Sequence, residues 1–170
     1  MSKKKQMPHA GTPAVTALDR AGVRHTLHPY EHDPSSTLGY GLEAAAAIGA
    51  DPACVLKTLM ARVDGHLVVA VVPVTGSLDL KALAHAVGAK KATMADPADA
   101  ERATGYVVGG ISPLGQRHPH STVIDESTRE HETVYVSGGR RGLDIGLSPT
   151  DLAHLTNAVV APIARSDTSS

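Results

Sequence analysis

Val55-Leu56-Lys57-Thr58-Leu59-Met60-Ala61-Arg62-Val63, then Asp64-Gly65, then His66-Leu67-Val68-Val69-Ala70-Val71-Val72 reads as one β-hairpin. Two apolar runs flank an Asp-Gly pair, the dipeptide that supplies two successive positive φ angles for a two-residue turn. Val68 to Val72 is apolar on both faces, which predicts an interior strand. Upstream, Thr12-Pro13 opens a helix, with Thr as N-cap and Pro at the first helical position, and Gly22 closes it. Val23–Glu31 alternates as a strand, His32–Thr37 forms a loop, and an Ala-rich helix over Leu42–Ile48 stops at Gly49. Downstream, a helix over Leu80–Val87 closes at Gly88, and Asp96-Pro97 caps another that ends near Gly105. Short strands are expected at Thr122–Asp125, Thr133–Ser137 and Val159–Ala164, with a last helix starting at Ser148-Pro149-Thr150-Asp151. Hairpins mixed with crossover helices predict an α/β (α+β) fold: a mixed, partly closed β-sheet or barrel flanked by helices. The expected organisation is one domain over residues 12–165, between flexible tails at 1–11 (basic) and 166–170 (polar).

The 170 residues include four Tyr, no Phe and no Trp, so the core must be built from Ala, Val and Leu. A net charge of −1 gives no global field toward nucleic acid, so any such contact must come from a local patch. The single Cys54 excludes an intrachain disulfide and a multi-cysteine zinc site. There is no apolar run of 18 residues, and Lys3, Lys4 and Lys5 are not followed by an apolar segment. No membrane partner and a cytoplasmic location are therefore expected.

Several chemical motifs fail on geometry. His28-Pro29-Tyr30-Glu31-His32 matches a zinc-peptidase spacing, but Pro29 excludes a regular helix there. On a strand the two imidazoles lie ~13 Å apart at ~3.3 Å per residue, too far for one metal ion. No metal site and no cofactor are expected. Gly110-Ile111-Ser112-Pro113-Leu114-Gly115 has one residue too many for a nucleophile elbow, and neither a dinucleotide fingerprint nor a P-loop is present. Cys54 beside Val55 reads as a small buried or half-buried residue, not as a nucleophile.

Lys57 is the odd residue of the hairpin, since its strand face also carries Val55, Leu59, Ala61 and Val63. It either snorkels at an edge or is held in a cleft. Thr58 and Met60 point to the other face. Two glycine-rich turns, Val107–Gly115 and Tyr135–Asp144, follow apolar stretches. Each is either a tight turn or a place where backbone N–H groups approach an anionic oxygen. Arg140-Arg141, Arg117 with His118 and His120, and Lys90-Lys91 are candidate phosphate contacts.

Taken in order, Tyr30-Glu31-His32-Asp33-Pro34, Val55-Leu56-Lys57-Thr58-Leu59, Leu78-Asp79-Leu80-Lys81, Gly88-Ala89-Lys90-Lys91, Met94-Ala95-Asp96-Pro97, Thr104-Gly105-Tyr106, Gly109–Gln116 and Tyr135–Ile145 resemble the YbaK/EbsC family of aminoacyl-tRNA deacylases. That family's relatives include the editing domain inserted in bacterial prolyl-tRNA synthetases. The run Gly109–Gln116 draws the chain toward the branch that acts on Cys-tRNA(Pro). The resemblance implies an editing-domain fold, an aminoacyl-tRNA partner, and prolyl-tRNA synthetase as a second one. By position it places the pocket lysine on Lys57, the tyrosine on Tyr30, and the serine and aspartate on Ser137 and Asp144. The glycine loop falls on Gly109, Gly110, Ser112 and Pro113, and the pocket neighbours on Thr58 and Met60. Tyr40-Gly41 stands where the family often has Phe-Gly, and Arg117-His118-Pro119-His120 replaces a lysine-rich stretch. The implied reaction uses the substrate's own cysteine thiol, which attacks its ester carbonyl. Lys57 then orients the ester and stabilises charge, and the Gly109–Gly110 backbone approaches the carbonyl. Asp144, with Ser137, holds the α-ammonium or a ribose hydroxyl, and Tyr30 lines the pocket. Two rivals remain open: an Ala-tRNA(Pro) deacylase using activated water, and a non-catalytic module that binds aminoacyl-tRNA or a synthetase. A glycine-loop nucleotide-binding regulator lacks any phosphate motif in its support.

Overall fold

The computed structural model describes residues 11–166, so most of both expected tails lies outside the described residues. Strands β2 (Leu56–Val63) and β3 (His66–Pro73) form the hairpin, paired antiparallel from Leu56 opposite Pro73 to Val63 opposite His66. Asp64 and Gly65 have φ of 47° and 89°, the pair of positive values that a type I′ turn demands. The Asp64 carboxylate also accepts the backbone N–H groups of Lys90 and Lys91, which ties the turn to the segment just ahead of the strand Ala92–Met94. Val55 does not extend β2. Its N–H donates to the Pro52 carbonyl, and it makes an isolated parallel bridge to Tyr135.

The hairpin is the centre of a five-stranded sheet. With β5 (Ala92–Met94), β6 (Ser121–Asp125) and β9 (Val159–Ala161), the order is β5-β2-β3-β6-β9. The β5-β2-β3 part is antiparallel and the β3-β6-β9 part is parallel, so the sheet is mixed. β3 takes the middle position, which explains an apolar character on both faces. On one face, Leu56, Met60, Val69, Val71 and Ile124 pack against helix α1 (Pro13–Ala21) through Val15 and Leu18. On the other, Ala61, Val63, Val68, Ala70 and Val72 pack against helix α3 (Leu80–Ala86) through Leu83.

A second sheet has the order β1-β8-β7, from β1 (Thr26–Pro29), β8 (Leu143–Leu147) and β7 (Val134–Arg140), all antiparallel. Two expectations are corrected here. The strand read over Val23–Glu31 is only Thr26–Pro29, because pairing with β8 runs only from Thr26 opposite Gly146 to Pro29 opposite Leu143. Gly138-Gly139 is not a turn. Both residues lie within β7, where the register slips between Ser137 and Arg140 in a bulge. A Cβ at Gly139 would sit 2.9 Å from Tyr106 Cε1, and its φ is 106°, so the bulge needs glycine. The reversal falls instead at Arg141-Gly142. Strands β4 (Gly76–Leu78) and β10 (Ala164–Ser166) form a separate antiparallel pair.

The Val107–Gly115 segment is also not preceded by a strand. Val107 and Val108 are exposed and belong to a turn closed by Gly110 N–H to Val107 C=O at 2.9 Å. Gly109 sits at its third position with φ 91°, as a type II turn requires. The segment is anchored from below by the buried Tyr106, whose hydroxyl donates to Leu114 C=O at 2.6 Å.

Candidate active site

The end of β2 nearest Val55, the turn at Val107–Gly110 and the β7–β8 hairpin converge on a cavity of about 520 Å³. Its wall is mostly apolar, with Leu56, Leu59, Met60, Val74, Met94 and Ile111 among the lining residues. Its polar lining is short: Tyr30, Tyr40, Lys57, Thr58, Ser137 and Asp144. A second cleft of the same volume, around His120 and Asn157, is lined by neither lysine nor carboxylate. The first is the one equipped for chemistry.

Lys57 reaches the cavity because it stands at the open end of β2, opposite Val72, beyond the cover that α3 gives Ala61 and Val63. It is half-buried, and no carboxylate lies within 4 Å of it among the described residues. Asp144 occupies the middle strand of the second sheet, flanked in register by His28 on β1 and Ser137 on β7. Only 5% of it is exposed, and no hydrogen bond satisfies its carboxylate among the described residues. Burial pushes its carboxyl up to about 7. Tyr30 follows β1, held by its N–H donating to Gly142 C=O at 2.8 Å. Burial first, and then the Asp144 charge, raises its phenol above the ordinary value. It therefore stays a hydrogen-bond donor at neutral pH. Thr58 Oγ1 is fully buried with no hydrogen-bond partner among the described residues, so the cavity wall carries an unsatisfied hydroxyl.

The glycine loop splits into two parts. Gly109 and Ile111 line the cavity; Gly110, Ser112 and Pro113 do not. A Cβ at Gly110 would meet Arg140 Cα at 2.7 Å, so this residue lets the turn lie against β7. Ser112 is fully buried, and its hydroxyl accepts from Leu114 N–H at 3.2 Å. Tyr40 opens helix α2 (Tyr40–Ile48) and lines the mouth. That helix is fixed by the buried Glu43, which accepts from Asp33 N–H at 2.6 Å and pairs with His32 Nδ1 at 2.8 Å. Those two bonds, the backbone one first, hold Glu43 below the usual carboxylate range. His32 is thus engaged with Glu43, and His28 with Thr26 Oγ1. Among the described residues no group of three or more His, Cys, Asp or Glu could hold a metal ion.

Residues 40–155 match the model of the aminoacyl-tRNA editing domain. The chain belongs to the aminoacyl-tRNA editing domain family. A protein of Enterococcus faecalis named as a candidate Cys-tRNA(Pro)/Cys-tRNA(Cys) deacylase, EbsC, is 39% identical over 121 residues, 70% of this chain and 73% of that one. A solved structure described as a candidate trans-editing enzyme for prolyl-tRNA synthetase superposes with a TM-score of 0.81 at 26% identity, over 95% of this chain and 99% of that one. A protein described only as hypothetical gives 0.80 at 25% identity, over 90% and 99%. The YbaK/EbsC resemblance and the expected editing-domain fold both stand. No helix among the described residues is long and apolar enough to cross a membrane.

Sequence reasoning missed several residues of this editing-domain cavity. Val74, Met94 and Ile111 come from the turn after β3, a three-residue strand and a loop, none long enough to show a periodicity. The pairing of Arg141 with Tyr40 joins residues 101 positions apart, with the guanidinium 4.7 Å from the ring centroid. Nothing in the local sequence marks it.

The isolated carboxyl of Asp144 makes a measurable prediction. In the unfolded chain it ionises near ~3.9, and in the folded editing domain near 7. Between those values the folded state keeps a proton that the unfolded state has lost, so this residue's contribution to stability falls as pH rises from about 4 to about 7. It is constant above that. Asp144→Asn removes the slope and is expected to stabilise the fold by about 4 kcal/mol at pH 8, with little change at pH 4. Urea midpoints at the two pH values check it; equal midpoints for variant and parent at pH 8 contradict it.

Proposed function

We propose that the protein is a trans-acting editing enzyme that deacylates mischarged Cys-tRNA(Pro), with the substrate's own thiol as nucleophile. The observation that carries this reading is a cavity with a lysine, a buried carboxylate and, among the described residues, no activated nucleophile. Ser137 Oγ accepts from Gly139 N–H at 3.1 Å and has no histidine partner among the described residues. Cys54 does not line the cavity, and burial, then Asp51, raises its thiol above the ordinary value. The named relative and the family model support the same substrate class. The physical need is plain: a synthetase pocket for proline separates similarly small side chains by only ~1–3 kcal/mol, so a second sieve is required.

In this mechanism the cysteine thiol loses its proton and its sulfur attacks the ester carbonyl. The bond to the ribose oxygen breaks, a cyclic thiolactone leaves, and the ribose oxygen takes up a proton. The protein positions the groups and stabilises charge. Lys57 orients the ester and meets the negative charge developing on its oxygen. The Gly109 backbone approaches the carbonyl. Asp144, ionised, accepts from the α-ammonium or a ribose hydroxyl, and the Ser137 hydroxyl stands beside it. Tyr30 donates from the wall, while Thr58 and Met60 shape the side-chain end. Prolyl-tRNA synthetase is the proposed protein partner, as the source of the mischarged tRNA.

Side-by-side deacylation of Cys-tRNA(Pro) and Ala-tRNA(Pro) by the purified protein tests the reading. Preferential loss of cysteine supports it, and preferential loss of alanine replaces it with the water-using reaction. Cys54→Ser is expected to keep kcat/KM within about twofold of the parent, because the thiol is outside the cavity. A folded variant with no activity would restore Cys54 as the nucleophile.

A further inference from the structure

The mouth of the cavity carries residues that the chemistry inside it does not use. Seven large hydrophobic side chains are exposed among the described residues. Six of them, Leu38, Tyr40, Leu42, Met94, Val107 and Val108, either line this one opening or adjoin a residue that does. An exposed apolar cluster at the entrance of a cavity that holds a lysine and a carboxylate is a contact surface in search of a partner. It is also a braced surface. Arg141 lies over the Tyr40 ring, and its Nε and Nη2 donate to Val108 C=O at 3.2 and 2.7 Å. His32, held by Glu43, meets the other partner of that pair, with its ring 5.5 Å from that of Tyr40. Helix α2, the turn at Val107–Gly110 and the β7–β8 turn are thus latched together into a ledge. Gly109 permits the latch, since a Cβ there would stand 2.5 Å from Arg141 Nε and 3.0 Å from Tyr40 Cε2.

We infer that this ledge seats the base of the 3′-terminal nucleotide of the esterified tRNA, with the purine ring stacked against the Tyr40–Arg141 pair and the apolar edge of Val108 and Leu42. The inference rests on the deacylase reading and deepens it. The scissile ester is on the terminal ribose. With the aminoacyl group against Lys57 and Asp144, that ribose stands in the opening, and its base must fall on the rim. A base is a flat apolar ring that favours aromatic and guanidinium planes, and unpaired 3′ ends are held in this way. Arg141 supplies the matching charge: no carboxylate lies within 4 Å of it among the described residues, and its remaining N–H groups are free for the adjoining phosphate. A pre-braced ledge also spares the ordering cost of a mobile one.

The test uses cysteinyl esters of an acceptor-stem minihelix ending either in adenosine or in an abasic ribose. The parent protein is expected to lose about tenfold or more in kcat/KM on the abasic end. Tyr40→Ala should lose a similar factor on the adenosine end and nothing further on the abasic one, whereas Tyr40→Phe, which keeps the ring, should still discriminate between the two ends. Equal parent rates on both ends overturn the inference. So does a Tyr40→Ala loss of equal size on both, which would make the rim a support for the cavity or a surface for a protein. If Tyr40→Ala does not fold, Val108→Ser and Arg141→Met serve in its place, with the same outcomes. A second measurement needs no chemistry: 2-aminopurine at the 3′ end of a minihelix carrying amide-linked cysteine. Quenching by the parent but not by the rim variants supports the ledge; absence of quenching on binding overturns it. A parent that quenches yet cleaves neither ester keeps the ledge and overturns the deacylase reading.

Discussion

Serine esterified to tRNA(Pro) is expected to leave on the order of 10²-fold or more slowly than cysteine on the same tRNA. The two side chains are close in size, so the cavity formed by Leu56, Met60 and Val74 separates them only modestly by fit. Their nucleophilicity separates them widely. A thiol of pKa ~8.5 is a few per cent thiolate near neutral pH, whereas an alcohol is scarcely ionised. Among the described residues nothing in the cavity replaces the missing sulfur, because Ser112 is buried and engaged, Ser137 has no base beside it, and Cys54 is elsewhere. Alanine, with neither group, should fall with serine. Single-turnover release from the three esters, with detection of a thiolactone-derived product, measures the difference. Equal rates with only free amino acid released would show an activated water, and Lys57 and Asp144 would then have to be read as its activating groups.

Lys57→Met is expected to lower kcat/KM for Cys-tRNA(Pro) by about 10²–10³-fold, the scale for loss of one preorganised charge-stabilising group. The fold should survive. Lys57 makes no ion pair among the described residues, so no partner there is stranded by its removal, and Met continues the apolar face set by Leu59, Ala61 and Val63. Its thermal midpoint should equal or exceed that of the parent, because a half-buried ammonium is exchanged for an apolar end. Deacylation assays with melting curves on the same preparation check both halves. Full activity in a folded Lys57→Met protein removes the lysine from the proposed mechanism. Loss of activity with a lowered midpoint assigns it a structural role instead.

Much of the architecture was legible along the chain because its causes are local. The Asp64-Gly65 turn, the Thr12-Pro13 cap, and the stops at Gly22, Gly49 and Gly105 each depend on the φ of one or two residues, and the structure shows them. The interior position of β3 followed from an apolar run with no polar face. Lys57 stood out for a related reason: a strand's period of two puts it in a row of apolar residues, and the row is visible without knowing what covers it.

What the tertiary structure alone decided is of another kind. Strands β4, β5 and β10 have three residues each, too short for alternation to register, and they exist because a neighbour offers hydrogen bonds. Gly138-Gly139 has the composition of a turn and becomes a bulge because Leu143–Leu147 pairs alongside and Tyr106 leaves no room for a side chain. The same packing gives Asp144 its character. In the local sequence Leu143-Asp144-Ile145 nothing but the family resemblance sets this carboxylate apart from a surface one. Placed in the middle strand, between His28 and Ser137 and away from water, it holds its proton up to about 7. Turn and cap propensities are properties of a few consecutive residues and can be read one at a time. Desolvation, the ledge of Tyr40 and Arg141, and the meeting of Lys57 with Asp144 in one cavity depend on which distant segments exclude water from each other, which only the folded chain sets.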